Sequence, residues 1–194
     1  KEVMASLTEI LSVDPRSDFM PKKFPAMPGF WEAGLHPRPL LKDRSKALPL
    51  SAIDTLARMM SISTYDARTP ALDDVIEACD PVSLADFAWS VFEEWRAKGD
   101  SASNWMFQAL AYLGDDRRAK QLTPIIRDWP ASNGQAKALM GLEILAAIGT
   151  DTALAQIQAI ARKNKYPNRR SQGQTGDLAL RRSEALFCIN ESLH

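Results

Sequence analysis

The chain has 194 residues, 24 basic and 24 acidic side chains, no formal net charge and a 45% hydrophobic composition with only 9 glycines. This composition excludes collagen-like, disordered and membrane-embedded classes, and no run approaches the ~18 consecutive apolar residues of a membrane span. A chain of this length buries roughly 70% of its extended surface, enough for a core without disulfide or metal staples.

Val3, Met4, Leu7, Ile10 and Leu11 fall on one face of an opening helix that Asp14-Pro15 ends. Seven of the twelve prolines lie between Pro15 and Pro49, with Phe19, Phe24, Phe30 and Trp31 among them. Proline fixes φ and removes a donor, so this stretch is read as an extended strap pinned to a helical body by its aromatic rings. A polyproline ligand is the alternative, without a clean PxxP array to carry it. Leu50, Ile53, Leu56, Ala57 and Met60 then form a helical stripe, and a short helix over Pro70 to Cys79 carries Leu72, Val75 and Ile76. Asp80-Pro81 places an N-cap residue before a proline at the first helical position. Leu84, Phe87, Ala88, Val91, Phe92 and Trp95 follow at i, i+3, i+4, i+7, i+8 and i+11, and Gly99 closes the helix.

An internal repeat of 35 residues decides the fold class. Ala109-Leu110-Ala111-Tyr112-Leu113-Gly114 aligns with Ile144-Leu145-Ala146-Ala147-Ile148-Gly149, and beyond each glycine Ala119, Leu122, Ile125 and Ile126 align with Leu154, Ile157, Ile160 and Ala161. Each copy is a helix, a glycine turn, an N-cap (Asp115 or Thr150) and a second helix, and such a unit buries its stripe only by stacking on neighbours. Pro124 should kink or divide the second helix of the first copy. No segment alternates with period two, so β structure is not expected. The reading is all-α: an αα-superhelix of HEAT-like antiparallel helix pairs led by a Pro-rich extended segment. Its single domain over 1–194 divides into 1–49 (helix and strap), 50–80 (leading helices), 81–166 (repeats) and 167–194 (an atypical end, where apolar residues thin out from Asn168 to Gly176).

The order of signals from Leu48 to Tyr166 also resembles a family. Leu48-Pro49 is followed by Asp80-Pro81-x-Ser83-Leu84-Ala85-x-Phe87-Ala88, by Trp95-x-x-x-Gly99 and Trp105, and by Leu113-Gly114-Asp115-Asp116. Then come Leu122-x-Pro124-x-Ile126-Arg127-x-Trp129-Pro130 and Gly141-Leu142-Glu143-x-Leu145-Ala146-Ala147-Ile148-Gly149. This resembles the HEAT-like repeat region of large bacterial WGR-domain-associated, molybdate-metabolism-regulator-like proteins. The resemblance implies a scaffold inside a larger regulator and brings no catalytic residues; the WGR element is absent from this chain.

Chemistry has little to stand on. His36 and His194 are the only histidines and match no metal spacing; no CxxC or phosphate-binding glycine loop occurs. The pairs Asp73-Asp74, Glu93-Glu94 and Asp115-Asp116 are helix neighbours about 100° apart, which do not converge. No enzyme, cofactor, metal or small-molecule substrate is expected. Cys79 and Cys188 share no motif, and isolated thiols in a reducing cytoplasm are expected ahead of a disulfide. The Lys1-Glu2-Val3-Met4 start, without an initiator methionine or a signal-like apolar run, is read as that of a fragment with no secretory signal.

Charge is unevenly spread. Asp66 to Asp100 holds nine acidic and three basic residues, a net of −6, whereas Arg16 to Pro49 and Arg162 to His194 are each +4. The first reading is therefore a protein-interaction module whose partner, another protein or another domain of a larger one, meets Trp89, Asp73, Asp74, Glu77, Glu93 and Glu94. The alternative is nucleic acid, contacted by Arg162, Lys163, Lys165, Arg169 and Arg170 at the end of the second copy and by Arg117, Arg118 and Lys120 at the corresponding helix start one copy earlier.

Overall fold

A computed structural model describes residues 24–132 and 134–164, with the backbone alone for 162–164. The opening helix over Val3 to Leu11, Phe19, Cys188, His194 and the atypical end from residue 167 lie outside the described residues. Within them the helices are α1 (Leu50–Ser61), α2 (Pro70–Ala78), α3 (Pro81–Lys98), α4 (Trp105–Gln108), α5 (Leu110–Leu113), α6 (Asp116–Asp128), α7 (Gln135–Ile148) and α8 (Asp151–Asn164). Ala109 keeps helical angles (φ −55°, ψ −30°) and its N–H bonds the Trp105 carbonyl at 2.9 Å, so α4 and α5 form one rod. The fold is all-helical: among the described residues β structure is limited to two isolated antiparallel bridges, Leu40 with Ala47 and Leu41 with Cys79.

Those bridges belong to the strap. Leu41 to Lys46 turns back on itself through Arg44, whose φ of 58° is left-handed, and the Arg44 guanidinium bonds Asp80 from Nε and Nη2 at 3.1 Å each. Asp80 N–H bonds Leu40 O at 2.8 Å, and Leu40 N–H bonds Ser83 Oγ at 2.9 Å. The strap is thus sewn to the start of α3 by paired backbone groups, which accounts for the bridges that no alternating pattern announced.

The helix starts show a period that reaches further back than Gly114 and Gly149 indicate. Asp80 Oδ2 accepts the Ser83 N–H at 2.9 Å, Asp115 Oδ1 accepts the Arg118 N–H at 2.8 Å, and Thr150 Oγ1 accepts the Ala153 N–H at 3.2 Å. These three N-caps are 35 residues apart, and the helices before them end at Ala78, Leu113 and Ile148, again 35 apart. Leu84, Ala119 and Leu154 are buried at equivalent positions, as are Phe87, Leu122 and Ile157. Three copies therefore lie in register: α2 with α3, α4–α5 with α6, and α7 with α8.

Packing follows the copies. Helix α5 lies against α7 and α6 against α8, while α7 touches both α6 and α8; α3 packs on α4 and α5, and α1 on α2 and α4. Because it is enclosed by α5, α6 and α8, α7 is apolar nearly all round, burying Ala138, Gly141, Leu142, Ile144, Leu145 and Ala146. An aromatic cluster fills the space between the first and second copies, with ring centroids 4.8 Å apart for Phe92 and Phe107, 5.1 Å for Trp95 and Phe107, and 5.4 Å for Phe107 and Trp129.

Pro124 does not divide α6, which runs unbroken from Asp116 to Asp128. Pro124 and Lys120 are both exposed, so the carbonyl that loses its donor four residues back lies on the wet side of the helix.

Candidate functional site

The residues singled out from the sequence separate into three places. The first is a seam between α3 and α6. Trp89, half-buried on α3, lies against Phe92 (centroids 5.1 Å apart), and the Arg118 guanidinium sits over its indole at 5.0 Å. Arg118 also bonds Asp86 of α3 at 2.5 Å and Gln121 at 2.6 Å, and Arg117 pairs with the same Asp86 carboxylate. Two residues assigned to nucleic acid therefore share one carboxylate of the preceding copy, and one of them covers the tryptophan assigned to a protein partner. A hydroxyl repeats this link one copy on: Thr152 bonds Asp116 at 2.8 Å, and hydrogen bonds from the Thr150 and Thr152 hydroxyls hold the Asp116 carboxyl below the usual range.

The basic groups do not share an end of the array. Arg117, Arg118 and the exposed Lys120 occupy the first turns of α6, whereas Arg162 and Lys163 belong to the last turn of α8. The Asp116–Thr152 bond sets the starts of α6 and α8 side by side, so the two groups are separated by most of a helix, roughly 15–20 Å at 1.5 Å per residue. The 35-residue register aligns Arg162 with Arg127 and not with Arg117. The side chains of Arg162 and Lys163, and all of Lys165, Arg169 and Arg170, lie outside the described residues.

The second place is a latch under the strap, and the sequence reading missed it. His36 is 6% exposed, stacked on Trp31 (4.7 Å between centroids) and edge-on to Phe87 (5.9 Å). Its Nδ1 is 3.0 Å from Ser90 Oγ, and its Nε2 is 3.0 Å from the Glu94 carboxylate, in poor alignment for a hydrogen bond. Burial pushes the imidazole pKa below its ordinary value, against the pull of Glu94. Trp31 Nε1 donates to Asp54 of α1 at 2.9 Å. Glu94, expected among the exposed acids, is instead the inward partner of His36, while its neighbour Glu93 is exposed. The one signal for this site in the sequence was a histidine among aromatics in a Pro-rich segment.

The third place is α2 and its flank. Asp73, Asp74 and Glu77 are exposed and are the only charged residues of the helix, and Asp73 pairs with Arg68 at 2.7 Å. An open, mostly apolar groove of about 320 Å³ runs between α1 and α2, lined by Leu48, Ser51, Ala52, Thr55, Leu56, Met59 and Val75 and by none of these acids. Among the described residues no three His, Cys, Asp or Glu side chains converge as a metal-binding set, and no helix is long and apolar enough to cross a membrane.

These features define the chain as an all-helical protein of three helix-pair copies with an open groove at its leading flank. It is 32% identical over 165 residues to "Uncharacterized protein YehI" of Escherichia coli (strain K12), an alignment that takes in 84% of this chain and 14% of that relative. The chain thus matches a small part of a much longer protein. No family model matches the chain, and no solved structure matches it.

Proposed function

We propose that this chain is a non-catalytic, HEAT-like helical scaffold that serves as a protein-interaction segment of a larger protein, of the WGR-associated regulatory kind its sequence resembles. The observation that carries the reading is the register of N-caps at Asp80, Asp115 and Thr150, with each copy tied to the next through α6 and α8 starts. Copies that bury their stripes on one another present long helical faces to a partner. The match to a minor fraction of a far longer relative is in keeping with a segment of a multi-part protein. Duplex DNA binding is the weaker reading, because Arg117 and Arg118 are engaged together on Asp86 and the other basic group stands at the opposite helix end.

The test is in-cell cross-linking of the tagged chain beside a variant with Asp73→Lys, Asp74→Lys and Glu77→Lys, with a DNA anisotropy titration in parallel. The expected result is one protein cross-linked in stoichiometric amount by the native chain and lost with the variant. Captures insensitive to the variant, or saturable DNA binding that weakens steeply with salt, refute it.

A further inference from the structure

We infer that residues 24–38 form a hinged flap that protonation of His36 releases from α1, α3 and α4 while the helix pairs beneath stay folded. This regulation is independent of the partner proposed above. The strap is fastened in two different ways. From Pro39 onward backbone groups sew it down: Leu40 N–H bonds Ser83 Oγ at 2.9 Å, Asp80 N–H bonds Leu40 O at 2.8 Å, and Lys42 N–H bonds Ala78 O at 2.9 Å. Before Pro39 the backbone hydrogen bonds are internal, from Trp31 to Pro28, Leu35 to Glu32 and His36 to Ala33. Among the described residues, 24–38 is therefore tied to the body through side chains alone. The Lys98 ammonium lies over the Phe30 ring; Trp31 reaches Asp54 and Trp105; His36 reaches Phe87, Ser90 and Glu94. A segment fastened this sparsely opens at a lower free energy than the packed helices under it. Pro37 and Pro39, which have no N–H to donate, mark the change from one kind of fastening to the other.

His36 is the fastening that a proton changes. Buried between Trp31 and Phe87, an imidazolium there loses most of its water. The groups around it come from four elements. Helix α3 supplies Ser90 and the Glu94 carboxylate, and the flap supplies the Trp31 ring. Asp54 of α1 is engaged by the Trp31 indole, and α4 brings the uncharged Trp105 against that same indole. Glu94 is thus the charge that faces the ring, and it favours the cation. Its Oε2 is 3.0 Å from Nε2 but poorly aligned, and burial outweighs it, so the closed-state pKa lies below the ordinary value. A released ring regains the ordinary ~6.5. The open flap therefore binds the proton more tightly than the closed one. Above ~6.5 the closed form keeps its full advantage, and that advantage shrinks as pH falls from there toward the closed-state value. With one proton involved, the open fraction grows by at most about tenfold per pH unit in this window.

The experiment is hydrogen exchange at the Trp31 indole N–H, the donor to Asp54, followed by heteronuclear NMR on the full chain. Its resonance is assigned by its loss in Trp31→Phe, and its protection is expressed against the free-indole rate at each pH. Protection should be constant above about pH 7 and fall below about 6.5 by up to about tenfold per unit, with circular dichroism unchanged. In His36→Gln the protection should be independent of pH, whatever its level. In Asp54→Asn, whose amide oxygen still accepts the indole proton, the fall should remain. The ring-carbon shift of His36 in the native chain, distinguished from His194 by His194→Gln, should titrate below ~6.5; this reading needs no variant at the site. Protection that holds or rises as pH falls overturns the inference, as does a fall that persists in His36→Gln or vanishes in Asp54→Asn. Loss of helicity in step with the fall, or titration of His36 at or above ~6.5, overturns it as well.

Discussion

Gly141→Ala is the sharpest probe of how the second and third copies fit together, because two effects of known sign oppose each other there. Gly141 lies inside α7, and replacing a helix-interior glycine by alanine ordinarily stabilises by about 0.5–1 kcal/mol through the unfolded chain's lost freedom. Here a Cβ would stand 2.6 Å from Ile126 Cγ1, 2.8 Å from Ile126 Cδ1 and 3.4 Å from Phe107 Cζ. Ile126 is β-branched, 1% exposed and set in α6, so its Cγ1 cannot swing clear without moving a helix. Overpacking of this kind costs typically 1–3 kcal/mol. The net expectation is destabilisation of about 1–2 kcal/mol, and at about 2–4 °C per kcal/mol for a chain of this size the midpoint falls by about 2–8 °C. Thermal unfolding followed by circular dichroism, with urea titration to verify an unchanged slope, measures it. Ile126→Ala in the same background should cost at least ~1 kcal/mol less than it does alone, since the added methyl then has room. A rise in midpoint for Gly141→Ala, or additivity of the two variants, refutes the close approach of α6 and α7.

Asp86→Ala leaves the 10%-exposed Arg118 with Gln121 as its hydrogen-bond acceptor beside the Trp89 ring and should cost about 1–2 kcal/mol in urea titration, with a smaller loss at high salt. Asp115→Ala removes the α6 cap and should cost about 1 kcal/mol by the same assay; Asp80→Ala should lower the midpoint further, because that carboxylate also holds Arg44 of the strap. His36 makes stability pH-dependent in a defined direction. Its folded pKa is lowered, so between that value and the unfolded ~6.5 the unfolded chain binds more protons and stability rises with pH. The His36 contribution is full above ~6.5 and is lost as pH falls from there toward the folded value; urea midpoints across this range should fall for the native chain and flatten for His36→Gln. The lowered carboxyls of Asp80 and Asp116 act below the ordinary carboxylate pKa of ~4 and do not confuse this window.

Much of the helical plan was legible because its signals are local. Asp80-Pro81 with the stripe to Trp95 required only the adjacent residues, and Asp115 and Thr150 cap the helices they were read to cap. The first copy is hard to read in the sequence because Gly114 and Gly149 mark the other two turns, whereas residue 79 of the preceding copy is a cysteine. The backbone explains this. Cys79 (φ −101°, ψ 160°) and Gly114 (φ −72°, ψ 155°) are both extended, whereas Gly149 (φ 69°) is left-handed. Gly149 is glycine for its angle, but Gly114 is glycine because a Cβ would strike the Leu110 carbonyl. The shared letter marked two different requirements, and the position that shares Gly114's conformation does not share its residue. The latch was illegible for another reason: His36 meets Ser90 and Glu94 across more than fifty positions, and no periodicity within the strap reports contacts of that range.

The two charge signals in the sequence also meet different fates, and this bears on what the protein can bind. A run of like charge attracts a partner only to the extent that the fold leaves it unspent. At the start of α6 two cations share one carboxylate: Arg117 and Arg118 converge on Asp86 of the preceding copy, and the Asp116–Thr152 bond ties the next copy to that same helix start. Those groups join copies, and a phosphate would compete there with a carboxylate already within hydrogen-bond distance. The acids of α2 are exposed, and Asp73 there has Arg68 as its ion-pair partner. The same composition, neutral in sum, thus uses charges of both signs to join elements, at Arg44 with Asp80 and at Arg117 and Arg118 with Asp86, and leaves charges of both signs exposed.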